Sequence, residues 1–121
     1  MTMTISVQKS IYAPKSKDDG LRVLVMRFWP RGIRKDRVDV WYENLGTSKE
    51  LIKAWKTHKV TWEEFRKEYV ASLKLAETGE LIGELARISR RQNITLLCSC
   101  RDPELCHRSL LKDEIQKTLN A

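Results

Sequence analysis

Long apolar runs are missing from this chain: nowhere do the roughly 18 consecutive apolar residues of a membrane span occur. The opening MTMTISVQKS alternates apolar and polar residues instead of setting a basic head before an apolar stretch. That pattern is not a secretory leader, and the expected location is the cytoplasm. Cysteine is scarce, with Cys98, Cys100 and Cys106 gathered in one short segment. An odd number so placed builds no self-contained disulfide framework and fits a reducing compartment. Proline is equally rare, and neither a low-complexity stretch nor a repeat of fixed period is present, which sets aside disordered and solenoid classes. Acidic residues are outnumbered, 16 against 23 Lys and Arg, for a formal charge of +7. Such an excess favours anionic partners, a small phosphate or sulfur anion or a nucleic acid, without choosing among them.

What is present describes one domain over residues 1–121, long enough to bury most of its apolar surface without metal or disulfide. Met3, Ile5 and Val7 alternate with polar residues as in a half-buried strand, and LRVLVMRF (21–28) reads as a central strand. Pro30 holds Trp29 out of the helical region and Gly32 permits a bend, so WPRGIRK is a loop. Val38, Trp41, Tyr42 and Leu45 have helical spacing. Ser48 can cap a short helix burying Leu51, Ile52 and Trp55, and Thr61 with Glu64 forms a capping box before the stripe Trp62, Phe65, Tyr69 and Leu73. A further helix is expected from about 79 to 91, closed by Arg90 and Arg91, whose charges complement the helix dipole. NITLLCSC follows as a buried strand and HRSLLKDEIQKTL as a closing helix with Leu111, Ile115 and Leu119 inward.

Two dense strands separated by a helical crossover imply parallel pairing. The expected fold is a small α/β domain of three-layer type, its short, largely parallel sheet flanked by helices. Ligands of such sheets bind beyond the carboxyl ends of the strands, which brings RFWPRG (27–32) and CRDPELCHR (100–108) to one rim.

The chemistry-bearing residues concentrate in those two loops. Zinc is the weaker reading of Cys98, Cys100, Cys106 and His107: structural sites draw on paired knuckles that this spacing lacks, and Cys98 inside a strand behaves as a small hydrophobe. No metal and no cofactor is therefore expected. Cysteine phosphatases and sulfurtransferases place a thiol after a strand with an arginine near a helix N-terminus, but their Cys-x5-Arg spacing is not met here, since Cys106 stands six after Cys100. Cys106 is the better reactive candidate, at the first turn of the last helix beside Arg108. His107 is adjacent to it, although neighbouring helical residues diverge, and a purely structural role would pair Arg108 with Asp102. Arg27 and Arg31 bracket Trp29, offering two guanidiniums and an aromatic face to an anion. Trp41, Trp55 and Trp62 read as core. His58, in a polar linker between two tryptophans, is a candidate acid or base.

RVLVMRFWPRG, LIKAWKTHKVTWEEF and CHRSLL together resemble the YeaO-like family, domain of unknown function 488, over nearly the whole chain, with Trp29-Pro30-Arg31-Gly32 the most specific element. The resemblance implies a compact α/β fold and a site around Arg27, Trp29, Arg31 and His58 with the Cys106-His107-Arg108 ending. Met26 stands where many members of that family carry an aspartate before the first signature arginine. The combined expectation is a small-anion site with Arg27, Trp29, Arg31 and Arg108 as binding residues and Cys106, His107 and His58 as catalytic candidates. Nucleic-acid binding through the basic cluster RGIRKDR (31–37) is the alternative.

Overall fold

The structure, a computed structural model, describes residues 5–7, 9–99 and 105–120. Met3, Gln8, Cys100 and Asp102 lie outside the described residues. Strands β1 (Ile5–Ser6), β2 (Leu21–Leu24), β3 (Val40–Trp41) and β4 (Ile94–Leu97) form one sheet in the order β1-β4-β2-β3. Every pairing is parallel, with Ile5 opposite Ile94, Leu21 opposite Ile94 and Val23 opposite both Leu96 and Val40. Helices α1 (Lys49–Lys56), α2 (Trp62–Ser72) and α3 (Ala76–Ser89) fill the connection from β3 to β4, and α4 (His107–Asn120) follows the last strand.

Alternation along the strands divides the core. Val23, Val25, Ile94 and Leu96 face the helices and pack with Leu51, Phe65, Tyr69, Leu85, Leu111 and Ile115. Leu24 and Leu97 face the other way and pack with Ile11, where Met26, Trp29, Ile33 and Val38 cover them. The helices thus supply one outer layer, and the loop joining β2 to β3 supplies much of the other. Each of the fully buried aliphatic side chains contributes about 2 kcal/mol of transfer free energy.

The helix caps form as expected. Ser48 Oγ accepts the Leu51 amide, and Thr61 and Glu64 bond reciprocally at 2.9 and 3.1 Å. Helix α3 starts at Ala76, about a turn before the sequence pattern suggests, and Arg90 is its C-cap. The expected helix over Val38–Leu45 is not one. Val40–Trp41 is the edge strand and Glu43–Leu45 a single 3-10 turn. The Asp39 amide donates to the Arg22 carbonyl and the Tyr42 amide to the Leu24 carbonyl, so pairing with β2 takes the backbone donors a helix would have used. A stripe of four residues on two turns is too short to outweigh a ready sheet edge, and Val38 and Val40 are β-branched.

The loop face also holds a buried ionic cluster. Asp19 bonds to Arg22 and, at 2.7 Å, to Lys9, while Arg22 Nε donates to the Arg37 carbonyl. Burial pushes the Asp19 carboxyl up, but hydrogen bonds from Lys9, the Ser16 amide and Arg22 outweigh it and hold the group below its ordinary 3.8. Gly20, at φ 62°, belongs to this corner, since a Cβ there would stand 2.0 Å from the Asn93 carbonyl oxygen.

Candidate functional site

Because β2 and β4 run parallel, the chain leaves both at the same edge, and the segments that follow line one cavity of about 340 Å³. Met26, Arg27 and Phe28 come from the first segment, Cys98 and Ser99 from the second, Leu105 and Cys106 from the residues leading into α4, and His107 from its first position. Helix α1 completes the wall with Lys49, Ile52, Trp55 and Lys56, joined by Thr47 and by Phe65 of α2. Arg27, Lys49 and Lys56 are cations, and no carboxylate is among the described lining residues. Phe28 and Leu105 line the cavity while remaining 58% and 46% exposed, so the mouth is apolar as well as cationic.

Arg27 is held by the segment that packs against its own backbone. Its Nη2 donates to the Gly46 carbonyl at 3.1 Å, while its buried Nε meets no acceptor among the described residues. Gly46 is small for a reason: a Cβ there would lie 2.3 Å from the Arg27 amide nitrogen. The preceding Leu45 carbonyl accepts the buried Tyr69 hydroxyl at 2.6 Å. Burial, foremost, raises the Tyr69 phenol well above its ordinary 10.0, so it stays a hydrogen-bond donor.

The inner end of the cavity is built of sulfur and imidazole. Cys98 and Cys106 are buried thiols, not disulfide partners. His107 Nε2 lies 2.6 Å from the Val25 carbonyl oxygen, which only accepts; Nε2 therefore carries a proton, and Nδ1 faces Cys106 Sγ at 3.6 Å. Cys106 immediately precedes α4 and is not part of it, which is why two adjacent side chains converge here, contrary to the divergence expected of helical neighbours. Arg108, only 1% exposed, donates from Nε to Cys106 Sγ at 3.4 Å and from Nη1 to the Lys9 carbonyl. A guanidinium against the sulfur favours negative charge there.

The remaining candidates stand elsewhere. Trp29 donates from Nε1 to the Ile33 carbonyl at 2.9 Å and packs edge-on against Trp41, on the loop face. Arg31 is exposed and outside the lining, its carbonyl reached by Tyr12 Oη at 3.5 Å. His58 follows the α1 C-cap at φ 58°, with its amide bonded to the Trp55 carbonyl, and it too lies outside the lining. In the basic cluster, Arg37 reaches the Ala13 carbonyl at 2.6 Å and Arg34 pairs with Asp36. Four contributors were underrated in the sequence: Cys98, whose strand position favoured packing over a ligand role, Trp55, whose helical stripe suggested core, and the rim lysines Lys49 and Lys56 of α1. The i+3, i+6 and i+7 spacing of Ile52, Trp55 and Lys56 from Lys49, which recurs along one helix face, was the available signal.

A family model described as "DUF488-N3a: Active DUF488-N3 subclade" matches residues 6–119. The chain belongs to this family. Among relatives of the DUF488-N3a chain, the uncharacterized protein YeaO of Escherichia coli (strain K12) is 37% identical over 107 residues, covering 87% of this chain and 91% of that protein. The uncharacterized proteins Mb3100c of Mycobacterium bovis and Rv3073c of Mycobacterium tuberculosis are each 35% identical over 103 residues, covering 84% of this chain and 85% of theirs. No solved structure matches. Among the described residues, no helix is long and apolar enough to cross a membrane.

Proposed function

We propose that the cavity binds a small anion carrying an apolar portion and presents it to a sulfur nucleophile. The observation that carries this reading is the make-up of the lining: three cations, no described carboxylate, aromatic and aliphatic walls, and two thiols with an imidazole at the inner end. Arg27 receives the anionic group, since its buried Nε has hydrogen-bonding capacity to offer. Lys49 and Lys56 add positive potential at the rim, where their worth falls with salt. Trp55, Phe65 and Phe28 enclose the apolar part, and a volume near 340 Å³ suits a metabolite and not a polymer. Cys106, flanked by Arg108 and His107, is the sulfur best placed to attack, with Cys98 beside it. The family's description as an active subclade agrees with a site that keeps its reactive groups.

Titration calorimetry of the metal-free protein with inorganic phosphate and with phenyl phosphate tests the reading. Phenyl phosphate should bind more tightly than phosphate, and Arg27→Met should weaken it by about tenfold or more. Equal affinity in wild type and Arg27→Met, or binding of neither probe, would overturn it.

A further inference from the structure

We infer that Cys98, Cys106 and His107 form a zinc(II) site whose fourth coordination position opens into the cavity. The two Sγ atoms and the imidazole nitrogen all lie within 4.8 Å of one another. Around a tetrahedral zinc ion with Zn–S of about 2.3 Å and Zn–N of about 2.0 Å, neighbouring donors stand about 3.5–3.8 Å apart. Cys106 Sγ and His107 Nδ1 already meet that spacing at 3.6 Å. Closing the remaining donor on an ion asks for side-chain movements of about an ångström.

The surroundings of the three donors fit the same purpose. A ligating histidine ordinarily gives its other ring N–H to a carbonyl or carboxylate, which fixes the tautomer and aims the ring. The Val25 carbonyl, 2.6 Å from Nε2, fills that role and leaves the Nδ1 lone pair directed at the thiols. The imidazole is further held by the edge-on Tyr69 ring, with centroids 5.4 Å apart. Two thiolates balance the charge of the ion, each thiol releasing its proton on binding, and the N–H of Arg108 on Cys106 Sγ supports the anionic sulfur. All three donors line the cavity, which provides both an entry path and room for a fourth ligand. Among the described residues no fourth donor joins these three, and two cysteines and one histidine with an open position is a ligand set used by catalytic zinc, in contrast to the closed four-ligand sets of structural zinc. The paired knuckles missing from the sequence belong to structural sites. Here a strand end and a helix start supply the donors.

This site shares the cavity and Cys106 with the anion reading but does not depend on it: the Cys106 sulfur is the nucleophile of the metal-free protein and a ligand once zinc is bound, so the two are tested on different forms of the protein. The full chain, stripped of metal and kept reduced without air, is titrated with cobalt(II) as the spectroscopic stand-in for zinc. One equivalent should produce near-ultraviolet sulfur-to-cobalt charge-transfer bands and the intense visible bands of four-coordinate cobalt, and one equivalent of zinc should abolish both. Cys98→Ser, Cys106→Ser and His107→Gln should each weaken binding by at least about 100-fold. Because a buried-ligand variant can fail to fold, the wild-type chain supplies a second readout: zinc should protect Cys98 and Cys106, but not Cys100, from alkylation mapped by mass spectrometry. Absence of the charge-transfer bands at one equivalent, or protection of Cys100 in place of Cys98, would overturn the assignment. The phosphate titrations of the metal-free protein stand whichever way this falls.

Discussion

Two arginines in this molecule are equally buried and are set against different groups. Arg22 and Arg108 are each 1% exposed. Arg22, on the loop face of the sheet, is matched by the Asp19 carboxylate, with Lys9 on the carboxylate's other oxygen. Arg108, beside the cavity, turns its Nε to a cysteine sulfur and its Nη1 to a backbone carbonyl. A guanidinium neutralised by a carboxylate in a closed cluster anchors structure and has little charge left to show a ligand. A guanidinium whose Nε lies on a cysteine sulfur places positive charge beside that sulfur, at the inner end of the cavity. Burial alone does not say what a charge is set against; the groups it touches do.

That contrast predicts separable effects. Asp19→Ala should be the most damaging substitution for stability, at about 3–5 kcal/mol in urea unfolding, because it strands a buried Arg22 whose Nη2 already meets no acceptor among the described residues. The pH profile sharpens the test. With the folded carboxyl held below its ordinary 3.8, the stabilisation is present above that value and is lost as pH falls through the folded pKa. The variant should therefore lack the acid-side component of the wild-type decline, and phenyl phosphate affinity in its folded fraction should match wild type. A collapse of affinity with intact folding would erase the distinction between the two faces.

Tyr69→Phe lies closer to the cavity and should cost less, about 1.5 kcal/mol, by removing the buried bond to the Leu45 carbonyl. Since Leu45 precedes the glycine whose carbonyl holds Arg27, ligand affinity should fall with it. An unfolding midpoint unchanged from wild type would show that the hydroxyl contributes nothing. His58→Gly is the mildest change and should raise stability by about 0.5 kcal/mol, because glycine adopts the left-handed geometry after α1 without a Cβ penalty. Loss of ligand binding in that variant would return His58 to the site.

Much of the architecture was legible because it depends on local chemistry. The Ser48 cap, the Thr61–Glu64 capping box, the stripe through Phe65 and Tyr69 and the dense strand before the cysteines each announce their conformation within a few residues. The segment 38–45 was not, since its donors are claimed by β2, a partner far away in sequence. The cavity was half legible: parallel strands bring their carboxyl ends to one edge, and the two loops that meet there carry Arg27, Cys106 and His107. His58 lies outside the cavity lining, a placement the sequence does not record because a polar linker between tryptophans looks the same whether it faces a ligand or ends a helix. Cys98 is the opposite case, since a thiol in an apolar strand is indistinguishable from packing until its neighbours are known.

The chain's own order of residues, then, determined the parallel α/β architecture, the cationic excess and the two loops that carry Arg27, Cys106 and His107, because periodicity, capping and turn chemistry act over a few residues. Only the tertiary structure decided that Lys49, Trp55 and Cys98 share a cavity with Arg27 and Cys106, and that Arg31, Trp29 and His58 stand apart from it. Convergence of side chains from separate elements is set by how helices and loops pack on the sheet, and spacing along the chain does not record it.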